Sequence, residues 1–295
     1  MKRLVWPFVR RSPLIALAVL AVTACDRSPD APPVVGIGIA GSAMVLQQLA
    51  QRAGGLSTAI DSSGLGDGNV QSEVSRAQQL AATPGLVGVV GHSSSRSTLA
   101  VAPVYAEVGI PMIVPSATSR LLGSLPNAFL LAPSDSTEAA YMARFVRDSL
   151  QARRAWVLFL NDAYGIGLRD GLRLALPAAG VRIVAEQSHG ELSDYALLLD
   201  AQAGREAPDV ILLAGRVADT EAIVNALATR HPGVPVVAAD GAGGGHEQIA
   251  SLFRTTTPVY ITTFWWPDAA RAADTAFVAE WRALTGTPPG PSDAL

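Results

Sequence analysis

Val210-Ile211-Leu212-Leu213-Ala214 is five apolar residues in a row, with no alternation. A strand with one wet face alternates apolar and polar side chains. An unbroken run belongs to a strand covered on both faces, as in parallel sheets flanked by helices. Working outward, similar short runs recur at Val34–Ala40, Ser57–Asp61, Gly85–Gly91, Pro111–Val114, Ala128–Leu131, Ala155–Leu160, Arg182–Glu186, Val234–Ala238 and Val259–Thr263. Between them lie longer Ala-rich or amphipathic stretches that read as helices, near residues 43–52, 70–81, 97–106, 137–151, 165–176, 195–203, 219–230, 246–252 and 269–285. Alternation of this kind predicts doubly wound α/β architecture. Ten strands predict two parallel-sheet lobes rather than one.

Composition narrows the function. At 295 residues the chain exceeds what one core usually supports, and its 49% hydrophobic content excludes a disordered chain. One cysteine cannot form an intramolecular disulfide. A net charge of −3 gives no electrostatic case for a nucleic-acid partner. Past Lys2 every basic residue is arginine, so no lysine nucleophile is at hand.

Residues 1–24 read as a signal peptide. Lys2, Arg3, Arg10 and Arg11 form a basic start, and Leu14–Val22 is an apolar stretch too short for a comfortable bilayer span. Val22-Thr23-Ala24-Cys25 resembles a bacterial lipobox, which implies lipidation of Cys25 and a membrane anchor. Residues 25–33 then form a lipidated tether, and Asp26 resembles an inner-membrane retention signal. The expected location is the periplasmic side of a bacterial membrane.

Two polar clusters follow predicted strands: Gly91-His92-Ser93-Ser94-Ser95 and Pro115-Ser116-Ala117-Thr118-Ser119. Ligands bind at strand carboxyl ends in open α/β sheets, and convergent hydroxyls and N–H groups suit a carboxylate. Ordinary helix capping by Ser and Thr is the competing reading.

Gly88-Val89-Val90-Gly91-His92-Ser93-Ser94-Ser95, Ala102-Pro103-Val104-Tyr105 through Ile113, and Pro115-Ser116-Ala117-Thr118 together resemble the branched-chain amino-acid-binding proteins of ABC importers. Asn161-Asp162-Ala163-Tyr164-Gly165-Ile166-Gly167, Pro208-Asp209-Val210-Ile211-Leu212 and Ala239-Asp240-Gly241 extend the likeness over most of residues 34–295. It implies a type I periplasmic binding protein without catalysis or cofactor, whose two hinged lobes close on a small ligand and deliver it to a permease. The implied layout is lobe 1 over 34–131, lobe 2 over 132–258, and a hinge return with the rest of lobe 1 over 259–295. It also implies that Ser95, Ser116 and Thr118 hold a ligand carboxylate, that Tyr164 closes over the ligand and that Asp240 receives its ammonium. Two departures stand out. The loop Gly41-Ser42-Ala43-Met44 lacks an aromatic residue, and Arg216 and Val217 stand where amino-acid binders often carry tyrosine. Arg216 is read as a receptor for a second carboxylate or as a solvated side chain. Trp265-Trp266 is read as hinge packing or as a neighbour of the cleft.

Other classes compete. Gly36, Gly38 and Gly41 fit G-x-G-x-x-G with Asp61 about 20 residues on, the fingerprint of a dinucleotide-dependent oxidoreductase. Gly91–Ser95 echoes a hydrolase elbow but has Ser95 where the turn needs glycine, with His246 as a distant base. The four histidines show no metal-ligand spacing, so no metal site is expected. The same fold also serves ligand sensors that signal to a partner protein.

Overall fold

The computed structural model describes residues 33–38, 47, 57–60, 69–190, 193–202, 204–243, 249, 252 and 257–290. The signal peptide, Cys25, Asp26, Gly41 and Asp61, the loop at 41–44 and His246 lie outside these residues. So does most of the expected helices at 43–52 and 246–252.

Two five-stranded sheets make up the molecule. The first holds β1 (Val34–Gly38), β2 (Ser57–Ile60), β3 (Leu86–Gly91), β4 (Met112–Val114) and β5 (Ala128–Leu130) in the order β2-β1-β3-β4-β5. The second holds β6 (Arg154–Leu160), β7 (Arg182–His189), β8 (Val210–Ala214), β9 (Val236–Ala238) and β10 (Val259–Ile261) in the order β10-β9-β8-β6-β7. All their pairings are parallel. Read from its first strand, each sheet follows the same pattern, and the order reverses at one point: beside β1 and β3 in the first, beside β6 and β8 in the second. That switch point is where open α/β sheets form a crevice at strand carboxyl ends.

Among the described residues the helices are α1 (Val70–Ala81), α2 (Ser95–Glu107), α3 (Asp135–Asp148), α4 (Ala163–Ala178), α5 (Tyr195–Asp200), α6 (Val217–Arg230) and α7 (Ala272–Thr285). Short polar side chains start several of them. Asn69 accepts from the Gln71 and Ser72 N–H groups, and Asp194 from that of Leu197. These satisfy donors that a helix start leaves open.

The alternation within β6 and β8 explains the covering on both faces. Val157, Phe159, Val210 and Leu212 pack with α3 and α4, whereas Trp156, Leu158, Ile211 and Leu213 pack with α5 and α6. A third core joins β3 and β4 to α1 and α2 through Leu86, Val89, Met112, Val101 and Tyr105. Burying each such large apolar side chain contributes about 1.5–3 kcal/mol.

The chain passes from the first sheet to the second between β5 and α3. Strand β10 is hydrogen-bonded to β9 in the second sheet. Its three residues had been allotted to the return segment, so they belong with the second lobe's sheet instead. Trp265 packs edge-on against Phe277 of α7 at 5.6 Å, and Phe277 lies 5.8 Å from Trp281. The Trp265 ring is thus packed against an aromatic side chain of α7.

Asp209 ties the starts of β6 and β8 together. One carboxylate oxygen accepts the Arg153 and Arg154 N–H groups at 3.0 and 2.9 Å, and the other meets the Arg154 guanidinium at 2.6 Å. Asp209→Ala is expected to cost about 1–2 kcal/mol and lower Tm by a few degrees in thermal unfolding. An unchanged Tm would mean the pairing adds nothing.

Candidate ligand-binding site

The two hydroxyl-rich loops interlock at the carboxyl ends of β3 and β4. Ser94, one residue before α2, is the helix cap. Its Oγ accepts the Ser97 N–H at 3.0 Å. Capping is therefore done without Ser95, whose Oγ reaches across to accept the Ser119 N–H at 3.2 Å. In return Ser116 Oγ donates to the Ser93 carbonyl at 3.1 Å. Ser95 and Thr118 are 2% and 1% exposed. The sequence predicts that these hydroxyls converge. The structure interlocks their two loops, with Ser95 on the Ser119 N–H, Ser116 on the Ser93 carbonyl and the Thr118 hydroxyl beside Asp135.

From this pair of loops the contacts run into the second lobe. The Thr118 carbonyl accepts the Asp135 N–H at 2.9 Å, at the start of α3. Asp135 is fully buried, and neither of its carboxylate oxygens has a hydrogen-bond partner. Gly167 of α4 makes the space it occupies, since a Cβ there would collide with Asp135 Oδ2. Burial drives the Asp135 carboxyl up to about 7, with Asp240 and Asp162 adding to the rise. The neighbouring Thr118 hydroxyl offsets part of it without reaching hydrogen-bond geometry.

The second-lobe wall is built at the other switch point. Two residues, Asn161 and Asp162, separate β6 from α4. Asp162 Oδ1 caps α4 on the Gly165 N–H at 2.9 Å, and its Oδ2 pairs with Arg216 at 2.5 Å, just beyond β8. The Arg216 guanidinium lies 5.6 Å over the Tyr164 ring. Arg216 is thus partly exposed, with one nitrogen of its guanidinium paired to Asp162. Tyr164 donates to Asp240 Oδ1 at 2.8 Å and accepts the Gly241 N–H at 2.9 Å. Burial, then the Asp240 charge, raises the Tyr164 phenol well above its usual value, so it stays a neutral donor.

Glu138, one turn into α3, completes the wall. It is 4% exposed, and its Oε1 accepts the Asp240 N–H at 2.8 Å and the Thr262 hydroxyl. Its Oε2 is buried without a hydrogen-bond partner. Burial and the facing Asp240 charge push Glu138 well above the usual carboxylate range, and burial raises Asp240 too.

Asp135, Glu138 and Thr262 escaped the sequence reading. It began the helix at Thr137, outside which Asp135 looks like a loop residue. Acids in a first turn are ordinarily explained by the helix dipole. The available signal was the spacing of Asp135 and Glu138, three apart and so on one helix face directly after a crossing strand.

The dinucleotide reading fails on geometry. Gly36 and Gly38 lie inside β1 rather than in the turn after it. Cβ atoms there would meet the Leu80 side chain and the His92 ring, each at 2.9 Å, so these glycines make room for protein.

The sequence profile of the family described as periplasmic binding protein matches residues 66–294. An amino acid binding protein of Pseudomonas aeruginosa is 31% identical over 121 residues, 40% of this chain and 32% of that protein. The chain therefore matches about a third of this curated relative's length. Among solved structures, the branched-chain amino acid transporter substrate binding protein from Streptococcus pneumoniae, in complex with isoleucine, has a TM-score of 0.76. It is 21% identical, over 90% of this chain and 80% of that one. A solute binding protein from R. palustris in complex with benzoate gives 0.73 at 16% identity, over 89% and 77%. At such identities the likeness is one of fold.

Proposed function

The chain belongs to the periplasmic binding protein family, and from that premise we propose that it captures a small carboxylate ligand, an amino acid, between its two lobes. We further propose that it works outside the cytoplasm, anchored through lipidated Cys25 with Asp26 favouring the inner membrane, and passes its ligand to an ABC permease. Among the described residues no helix is long and apolar enough to cross a membrane.

The observation that carries the reading is the interlock of the Ser93–Ser95 and Ser116–Ser119 loops, with an acid and a phenol in the facing wall. A zwitterion needs donors at one end and a carboxylate at the other once water is expelled. The Ser95 and Thr118 hydroxyls and the Ser116 main chain supply the donors. Asp240, steered by Tyr164, supplies the acceptor. Closure is then stabilised by contacts that exist only when both lobes touch the ligand.

Calorimetry with the twenty L-amino acids, their 2-keto acids and benzoate tests this. An amino acid is expected to bind, and Thr118→Ala to weaken it about tenfold to a hundredfold, the worth of a hydrogen bond to a charged group. Affinity unchanged in both Thr118→Ala and Ser95→Ala would show that the carboxylate pocket is elsewhere. Benzoate or a keto acid binding in place of every amino acid would remove the ammonium from the ligand.

A further inference from the structure

We infer that Glu138 belongs to the ligand site, and that the Glu138–Asp240 carboxyl pair takes up an ammonium group in exchange for a proton. The inference rests on the amino-acid reading above and deepens it.

Three observations carry it. Glu138 Oε1 holds the Asp240 backbone N–H and the Thr262 hydroxyl, so the two acids are locked in one arrangement spanning α3, the loop after β9 and the segment after β10. Glu138 Oε2 is buried with no donor beside it, so that only a proton held by the pair itself can bridge it to Asp240. Among the described residues the groups facing the pair add no unpaired cation, and Arg216, already bonded to Asp162, eases the Asp240 charge only in part. Tyr164 is a neutral phenol spent on Asp240, Arg216 is spent on Asp162, and Asp135 is a third buried acid one turn back on α3. Two adjacent carboxylates out of water cannot both stay ionised without a counter-charge, so the empty pair keeps one proton. The raised positions of both groups agree with this.

An ammonium brought against Asp240 supplies the counter-charge that the proton had supplied. The proton leaves to buffer and the pair becomes doubly ionised beside the ligand cation. Charge balances, with one proton out for one ammonium in. The site therefore selects for an amine-bearing ligand over a neutral or doubly anionic one. Glu138 acts as a specificity residue through the charge it presents.

The test is calorimetry on the full chain at pH 6 in two buffers of different ionisation enthalpy. The probes are the tightest binder among the twenty L-amino acids and its 2-keto acid. The amino acid is expected to release close to one proton, with affinity rising about tenfold per pH unit while that release lasts. Glu138→Gln is expected to bind it with the release gone and the pH slope flat. Binding with no proton released at pH 6, or with the same release in Glu138→Gln, overturns the inference and leaves the amino-acid reading standing. If no amino acid binds, or the keto acid binds as well, that reading falls and the inference with it. Should Glu138→Gln fail to fold, the proton count and pH slope of the natural chain decide the matter alone.

Discussion

Gly165→Ala is expected to prevent the second lobe from assembling. The second residue after β6 is already the cap of α4, so the first turn of that helix is pressed against the end of its own strand. A Cβ at Gly165 would stand 2.7 Å from the Leu160 nitrogen and 2.9 Å from its carbonyl carbon, and nearer still to its oxygen. Those are backbone atoms hydrogen-bonded into a central strand, and they cannot swing aside as a side-chain tip can. The helix would have to lift, which breaks the Asp162 cap and withdraws Leu168 and Leu172 from the core. Either loss alone costs about 1–5 kcal/mol. Together they approach the 5–15 kcal/mol that holds a typical domain folded. The expected result is insoluble or molten protein, read by soluble yield and near-ultraviolet circular dichroism. Gly123→Ala is the control, since nothing lies within 4 Å of its Cβ position, and it is expected to behave as the natural chain. A Gly165→Ala protein melting within a degree of that control would show that the turn can open freely.

The two glycines of Asn161-Asp162-Ala163-Tyr164-Gly165-Ile166-Gly167 show what a sequence discloses and what it withholds. The motif is legible as part of a resemblance that assigns Tyr164 and Asp240 to the second lobe, but the hydrogen bond between them is not. Why glycine stands at 165 and 167 was not legible. The partners of those positions are a strand backbone and the Asp135 carboxylate, both fixed by tertiary packing. The sheets were legible for the opposite reason. An unbroken apolar run such as Val210–Ala214 reports burial on both faces directly, and all five residues are buried. The run at Val259–Ile261 likewise declared a strand. A local pattern cannot say which sheet a strand joins, and its partner Val236–Ala238 lies about twenty residues back. Ser95 and Thr118 were legible because their polarity is out of place after buried strands. Glu138 and Asp135 were hidden because acids belong at helix starts in any protein.

Asp135 also governs how stability responds to pH, and the expected effect is large. Unfolded, its carboxyl titrates near 3.8, whereas in the folded chain it titrates at about 7. Between those values the folded chain holds a proton that the unfolded chain has released, so raising the pH through that window favours unfolding. Above about 7 the anion sits buried with the whole penalty, as much as ~4 kcal/mol. Glu138 and Asp240 are raised as well and pull the same way. Asp200, Glu206 and Asp209 are displaced downward by their arginine partners and pull the opposite way. They lie near the surface, and what they contribute is lost only as the pH falls below about 5, outside the range from pH 5 to pH 8. Burial holds His189 and His231 below the usual imidazole range, and they pull the opposite way inside the window. The chain is therefore expected to melt higher at pH 5 than at pH 8 by what the three raised acids add over these two imidazoles. Asp135→Asn cannot ionise, so its slope should be shallower, with the variant gaining on the natural chain by on the order of 10 °C between those pH values. Thermal unfolding by circular dichroism at pH 5 and pH 8 measures this. A gap between variant and natural chain that is the same at both pH values would mean that Asp135 is not the group that titrates. Asp135 lies between the Thr118 loop and α4, so its charge state sets whether a proton or a bare anion separates the two.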